Sequence, residues 1–171
     1  MVDVHKPPAA LPTAGGRPTI FLAGSIDQGA AVDWQRVIEE RLIALEVARD
    51  ELTDLDLVVL NPRRDDWDPT WDQSADAGEF CRQVEWELDG LRAADLVLLY
   101  LAPGSTAPIS LLELGLHIDH PGLRVCCPPG FWRRGNVEIV CERFGVPLWH
   151  DFAQFVDDVL AELTKRRMED T

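Results

Sequence analysis

The chain has 171 residues, of which 46% are hydrophobic and 27% charged. That is one ordinary globular domain, able to bury a core without disulfide or metal, and it excludes a disordered tail, a collagen-like repeat and a small disulfide scaffold. Thirty acidic residues against 16 basic ones give a net charge of −14, which repels nucleic-acid polymers and anionic membranes. A small nucleoside or nucleotide is still admissible, because one pocket carries its own local charge.

Residues 1–18, MVDVHKPPAALPTAGGRP, contain no apolar run of the signal-peptide kind and read as an irregular Pro/Gly/Ala-rich arm. A single α/β domain is expected over 19–171. TIFLA (19–23) is a buried strand, followed by the turn GSIDQG (24–29). Trp34, Val37, Ile38, Leu42 and Leu45 recur at helical spacing. LDLVVL (55–60) is a second strand, ended by Asn61-Pro62. RRDDWDPTWDQSADAG (63–78) has no periodicity and reads as a long loop of the kind that forms lids or binding walls. Phe80, Val84, Leu88 and Leu91 mark a helix. DLVLLYLA (95–102) and LRVCC (123–127) are further strands, with a helix over 110–118 between them. A helix over 135–145, a short strand over 146–150 and a helical stripe from Phe152 to Leu163 complete the chain. No run approaches the roughly 20 apolar residues of a membrane span.

Strands that are apolar throughout, alternating with amphipathic helices, predict a five-stranded parallel sheet. It would be doubly wound, flavodoxin-like or Rossmann-like, with helices on both faces. Ligands in such folds sit outside the carboxyl ends of the strands, which selects GSIDQG, NPRR, APGSTAPIS and PPGFWRRGN for inspection.

Within those segments Glu113 stands out as a carboxylate in the apolar run PISLLELGL. It reads either as the far end of a capping box opened by Ser110 or as a functional carboxylate. Glu87 lies on the apolar side of its helix, where a carboxylate needs a partner or a task; the plainer reading is a boundary residue with its stem along the core edge. Gly24-Ser25 forms a small-residue turn that lets a ligand approach the backbone; there is no GxGxxG or P-loop motif. Arg63-Arg64 and Arg133-Arg134 each follow a strand, where they would bind an anion or pair with surface acids. Trp67, Trp71 and Trp132 lie in loops, to stack on a planar base or plug a loop. The four cysteines, Cys81, Cys126, Cys127 and Cys141, match no zinc spacing and point to the cytoplasm, and His117 and His120 are not spaced as a metal pair. No metal and no cofactor is expected.

FLAGSI, NPRR, QVEWE followed by LRAAD, PISLLELGL and CPPGFWRRGNV together resemble the nucleoside 2-deoxyribosyltransferase superfamily. The closest likeness is to its nucleoside 2-deoxyribosyltransferase-like branch, related to the 2′-deoxynucleoside 5′-phosphate N-hydrolases. These phrases run from about residue 19 to 141. The resemblance implies a flavodoxin-like sheet, a homodimer or higher homo-oligomer, and cleavage or transfer at the N-glycosidic bond of a 2′-deoxynucleoside or its 5′-monophosphate. It puts the nucleophile on Glu113, through a covalent glycosyl-enzyme, and the residue serving the leaving base on Glu87. Substrate contacts fall on Gly24, Ser25, Asp27, Arg63, Ser110, Trp67, Trp132, Arg133 and Asn136. Two departures matter. Relatives place a tyrosine where this chain has Phe21, and those specialised for monophosphates carry an arginine where it has Asp27, which favours a nucleoside. The alternatives are a non-catalytic nucleotide-binding or sensor module of the same fold, and a domain that docks a partner protein through the 63–78 loop.

Overall fold

The computed structural model describes residues 1–12, 15–27, 31–47, 56–68 and 70–169, with side chains up to 165. Leu55 of the second expected strand, Gln28 and Gly29 of the first turn, and Pro69 of the long loop lie outside them.

Six strands form one sheet: β1 (Val2–His5), β2 (Thr19–Gly24), β3 (Leu57–Leu60), β4 (Leu96–Tyr100), β5 (Leu123–Cys126) and β6 (Leu148–Trp149). Between and after them run α1 (Trp34–Val47), α2 (Gly78–Ala93), α3 (Pro108–Leu116), α4 (Arg134–Phe144) and α5 (Phe152–Glu169). Every strand pair is parallel, in the order β1-β3-β2-β4-β5-β6. Without β1 this is the doubly wound flavodoxin-like order, and the chain reverses direction across the sheet at β2 and β4.

The expectation of five strands is corrected to six. Val2–His5 pairs in register with Leu57–Leu60, so the amino-terminal arm is not irregular throughout. A short VDVH segment carries only a weak apolar signal; it becomes a strand because β3 offers it an otherwise unpaired edge.

Strand residues alternate between two cores, as the pleat requires. Phe21, Ala23, Val58, Leu60, Val97 and Leu99 pack under α2, α3 and α4. Ile20, Leu22, Val59, Leu96 and Leu98 pack under α1 and α5. Helix α2 presents a different face from the expected one. Gln83, Trp86, Gly90 and Leu91 are buried, while Leu88 is 42% exposed. Gly90 decides the rotation, since a Cβ there would lie 2.8 Å from the Phe21 ring, which packs on Trp86 at 6.1 Å.

Candidate active site

The site begins where β2 ends. Gly24 has φ +138°, and any Cβ there would overlap the Tyr100 carbonyl, so only glycine fits between β2 and β4. Ser25 then ties the two strands together across the switch point. Its N–H donates to the Tyr100 carbonyl at 2.9 Å, its Oγ accepts from the Ala102 N–H at 3.0 Å, and its carbonyl accepts from the Trp34 indole at 3.0 Å. The residue has no accessible surface, so its hydroxyl serves the fold in this state. Asp27, partly buried, follows in the left-handed region at φ 46°.

The capping-box reading of Ser110 and Glu113 is corrected. Helix α3 starts at Pro108, with Ala107 as its cap in the left-handed region at φ 35° and no side-chain cap bond. Pro108 opens the helix because its fixed φ suits the first turn and its missing N–H is no loss there. Ser110 and Glu113 therefore both lie inside the helix, on its buried side. With the cap gone, Glu113 needs another reason to be buried at 9% exposure.

Glu87 on α2 supplies the second carboxyl. Burial pushes Glu87 up to about 7, opposed by a hydrogen bond from Gln83. Burial pushes Glu113 up to about 8, and the negative charge of Glu87 adds to the rise. The two carboxyls thus sense each other, and neither has an ion-pair partner among the described residues. A buried and a half-buried carboxyl without a cation share protons near neutrality.

The end of β3 forms another wall. Asn61 is buried; its amide nitrogen donates to Glu39 at 2.6 Å and its oxygen accepts from the Arg63 N–H at 2.9 Å. Burial raises the Glu39 carboxyl, and the Asn61 bond opposes it. Arg63 donates to the Ala31 carbonyl at 2.9 Å and lies 3.9 Å from Asp33. Arg64, for which both anion binding and pairing with acids were open, pairs with acids and organises the long loop. It holds Asp66 with two bonds of 2.8 Å, reaches Glu79 at 3.5 Å and sits 4.6 Å over the Trp71 ring. Trp71 packs edge-on against Trp67 at 5.3 Å. Both tryptophans are partly buried in that loop, ahead of α2.

The loop after β5 meets the loop before α3. Trp132 donates to the Thr106 carbonyl at 2.9 Å, and Arg133 stacks 4.3 Å over the Trp132 ring. Trp132, Arg133 and Asn136 are all exposed. The structure therefore brings Glu87 and Glu113 together and fixes Gly24, Ser25 and Ser110 at the neighbouring strand and helix ends. Arg63 and Trp67 stand on the loop after β3, Trp132 and Arg133 on the loop after β5, and Asn136 in the first turn of α4. Sequence reasoning missed Gln83. Its signal was available: a glutamine one turn before Glu87 on the same helix face.

The sequence model of the family described as nucleoside 2-deoxyribosyltransferase like matches residues 17–131. The chain belongs to that family. No curated protein matches the sequence. A solved structure of a conserved protein from Enterococcus faecalis V583 is similar in fold, with a TM-score of 0.57 at 12% identity over 88% of this chain and 99% of that one. Membership in the nucleoside 2-deoxyribosyltransferase-like family supports glycosyl transfer or hydrolysis on small nucleosides. The matched span holds Glu87 and Glu113 and begins after β1; Trp132, Arg133 and Asn136 lie just past its end. Among the described residues no helix is long and apolar enough to cross a membrane.

Proposed function

We propose that the protein cleaves the N-glycosidic bond of an unphosphorylated 2′-deoxynucleoside, with Glu113 as nucleophile and Glu87 as general acid. The observation that carries this reading is the pairing at the switch point of buried Glu113 with half-buried Glu87, with no cation on either among the described residues and each shifted towards neutrality. Such a pair shares a proton near neutrality, and the double displacement draws on the arrangement with that proton on Glu87 and Glu113 ionised. The Glu113 carboxylate attacks C1′ while the C1′–N bond breaks. Its electron pair leaves on the base nitrogen, which takes the proton from Glu87. Water or a second base then attacks C1′, Glu87 accepts the incoming proton, and Glu113 is released. Retaining glycosidases use two carboxyls in this way.

Three features favour a substrate without phosphate. The Ser25 hydroxyl is buried and bonded to Ala102, Asp27 brings a negative charge to the turn, and Arg63 is engaged by Ala31 and Asp33. Gly24, Ser110, Trp67, Trp132, Arg133 and Asn136 complete the proposed substrate surface. The reading extends to a homo-oligomer, since α3 exposes Ile109, Leu112 and Leu116 at 57–60% in a stripe beside Glu113. It also extends to the cytoplasm, where four free cysteines fit a reducing compartment.

Chromatography of released base from deoxynucleosides and their monophosphates, with and without acceptor base, tests the proposal. Nucleosides should be the better substrates, and Glu113→Gln should lose at least about a thousand-fold in turnover. Intact turnover in that variant would sink the mechanism. Phe21 supports a second reading, a nucleoside-binding module. It is fully buried against Trp86 and offers no hydroxyl where relatives have a tyrosine. That reading gives thermal stabilisation by nucleosides with no base released.

A further inference from the structure

Gln83 lies one helical turn before Glu87 on α2 and is only 5% exposed. Its side-chain nitrogen donates to two acceptors, the Pro62 carbonyl at 3.0 Å and Glu87 Oε1 at 2.7 Å. A carbonyl has no proton to offer, so the amide nitrogen must face Pro62 and the orientation of the amide is fixed. Its own oxygen is left buried with no partner. A buried acceptor without a partner is costly, and an apolar side chain of the same length would avoid that cost. The fold accepts it and keeps both donors on Pro62 and Glu87.

We propose that Gln83 is a positioning residue for Glu87: anchored on the end of β3, its amide holds Glu87 Oε1 as an acceptor and so keeps the transferable proton on Oε2. This rests on the reading of Glu87 as the acid. The anchor matters because Glu87 has three rotatable side-chain bonds and no other hydrogen-bond partner among the described residues. Without it, the acid would be near the leaving base only part of the time. The charge of Glu87 bears on Glu113 of α3, and no cation from β2, β3 or β4 pairs with either carboxyl among the described residues. The amide is thus the one contact that favours the ionised form of Glu87, and it sets where the proton sits when the form is neutral.

The test is side-chain NMR of the full chain labelled at glutamate carboxyl carbon and glutamine nitrogen. In the wild type the Gln83 side-chain amide should titrate with the same midpoint as the Glu87 carboxyl, and Glu87→Gln should remove that step. In Gln83→Met, which keeps length but has no donor, the Glu87 midpoint should rise by about one pH unit. Its kcat should fall up to about 100-fold while KM is unchanged, because Gln83 orients the acid without touching substrate. A purely structural glutamine would lower stability and leave the Glu87 midpoint where it was. An amide silent through the Glu87 transition in the wild type overturns the proposal without recourse to any variant. So does an unmoved Glu87 midpoint in folded Gln83→Met. Retained turnover in Glu87→Gln overturns the acid assignment itself, even where the amide tracks Glu87. Lost turnover in Glu87→Gln with a silent amide removes the tether alone.

Discussion

At the scale of single residues, two carboxyls on one face of the sheet are both held where water is scarce. Their burial sets the sign of a stability effect. Glu113 is pushed from 4.5 to about 8 in the folded chain, so between those values the folded state binds more protons than the unfolded one. The cost of burial is therefore absent below about pH 4.5 and grows as pH rises towards 8, at roughly 1.4 kcal/mol per pH unit. Glu113→Gln, which cannot ionise, should gain on the wild type across that window, by a few kcal/mol at pH 8.5. Urea unfolding of both proteins at several pH values checks it; a difference constant with pH would show Glu113 to be ionised throughout. Glu113 was legible in the sequence because an acid among leucines and isoleucines is out of place. Gln83, the hydrogen-bond partner of Glu87, was missed: its place one turn before Glu87 is a faint signal, because an uncharged amide on a helix breaks no pattern until its contacts are known.

At the scale of elements, the strands were read from their apolar runs, and their positions held. The helices were harder. In α2 the spacing of Phe80, Val84, Leu88 and Leu91 suggested one stripe, yet Trp86 and Gly90 turn inwards instead. A helix with apolar residues on two sides has two possible faces, and the Phe21 ring closing on Gly90 chooses between them. In α3 the cap expected at Ser110 gave way to Pro108 and a left-handed Ala107, strain that sits next to the helix carrying Glu113. The long loop is held by Arg64, whose side chain is only 4% exposed. Its hydrogen bonds keep Asp66 well below the usual carboxylate range and raise its own guanidinium further. Arg64→Ala should loosen residues 65–77 and lower stability, since it removes the bonds to Asp66 and Glu79 and the stacking on Trp71. Amide hydrogen exchange should show faster labelling in that loop and little change in β4. Unaltered loop exchange would mean that the Trp67–Trp71 pair alone holds it.

At the scale of the whole molecule, the sheet brings residues 24, 87 and 113, far apart in the chain, to one edge. The exposed Ile109, Leu112 and Leu116 form a stripe along α3 beside Glu113, with Ile109 and Leu116 about one turn to either side of it. A second copy seated there would cover this apolar stripe and stiffen the helix that carries Glu113. Leu112→Glu should shift the protein to monomer in light scattering after size exclusion. A wild type already monomeric at high concentration would remove the oligomer from the proposal.

The parallel α/β architecture follows from the order of residues alone, because buried strands must be apolar along their whole length and their crossover helices amphipathic. That order also determined which strand ends to inspect and which carboxylates were out of place there. Only the tertiary structure decided that VDVH joins the sheet, that Ser25 is spent on joining β2 to β4, and that Arg64 faces its loop. It alone decided that Gln83 holds Glu87. Each of these depends on a partner distant in the chain, and a hydrogen bond leaves no periodicity in the sequence of either partner.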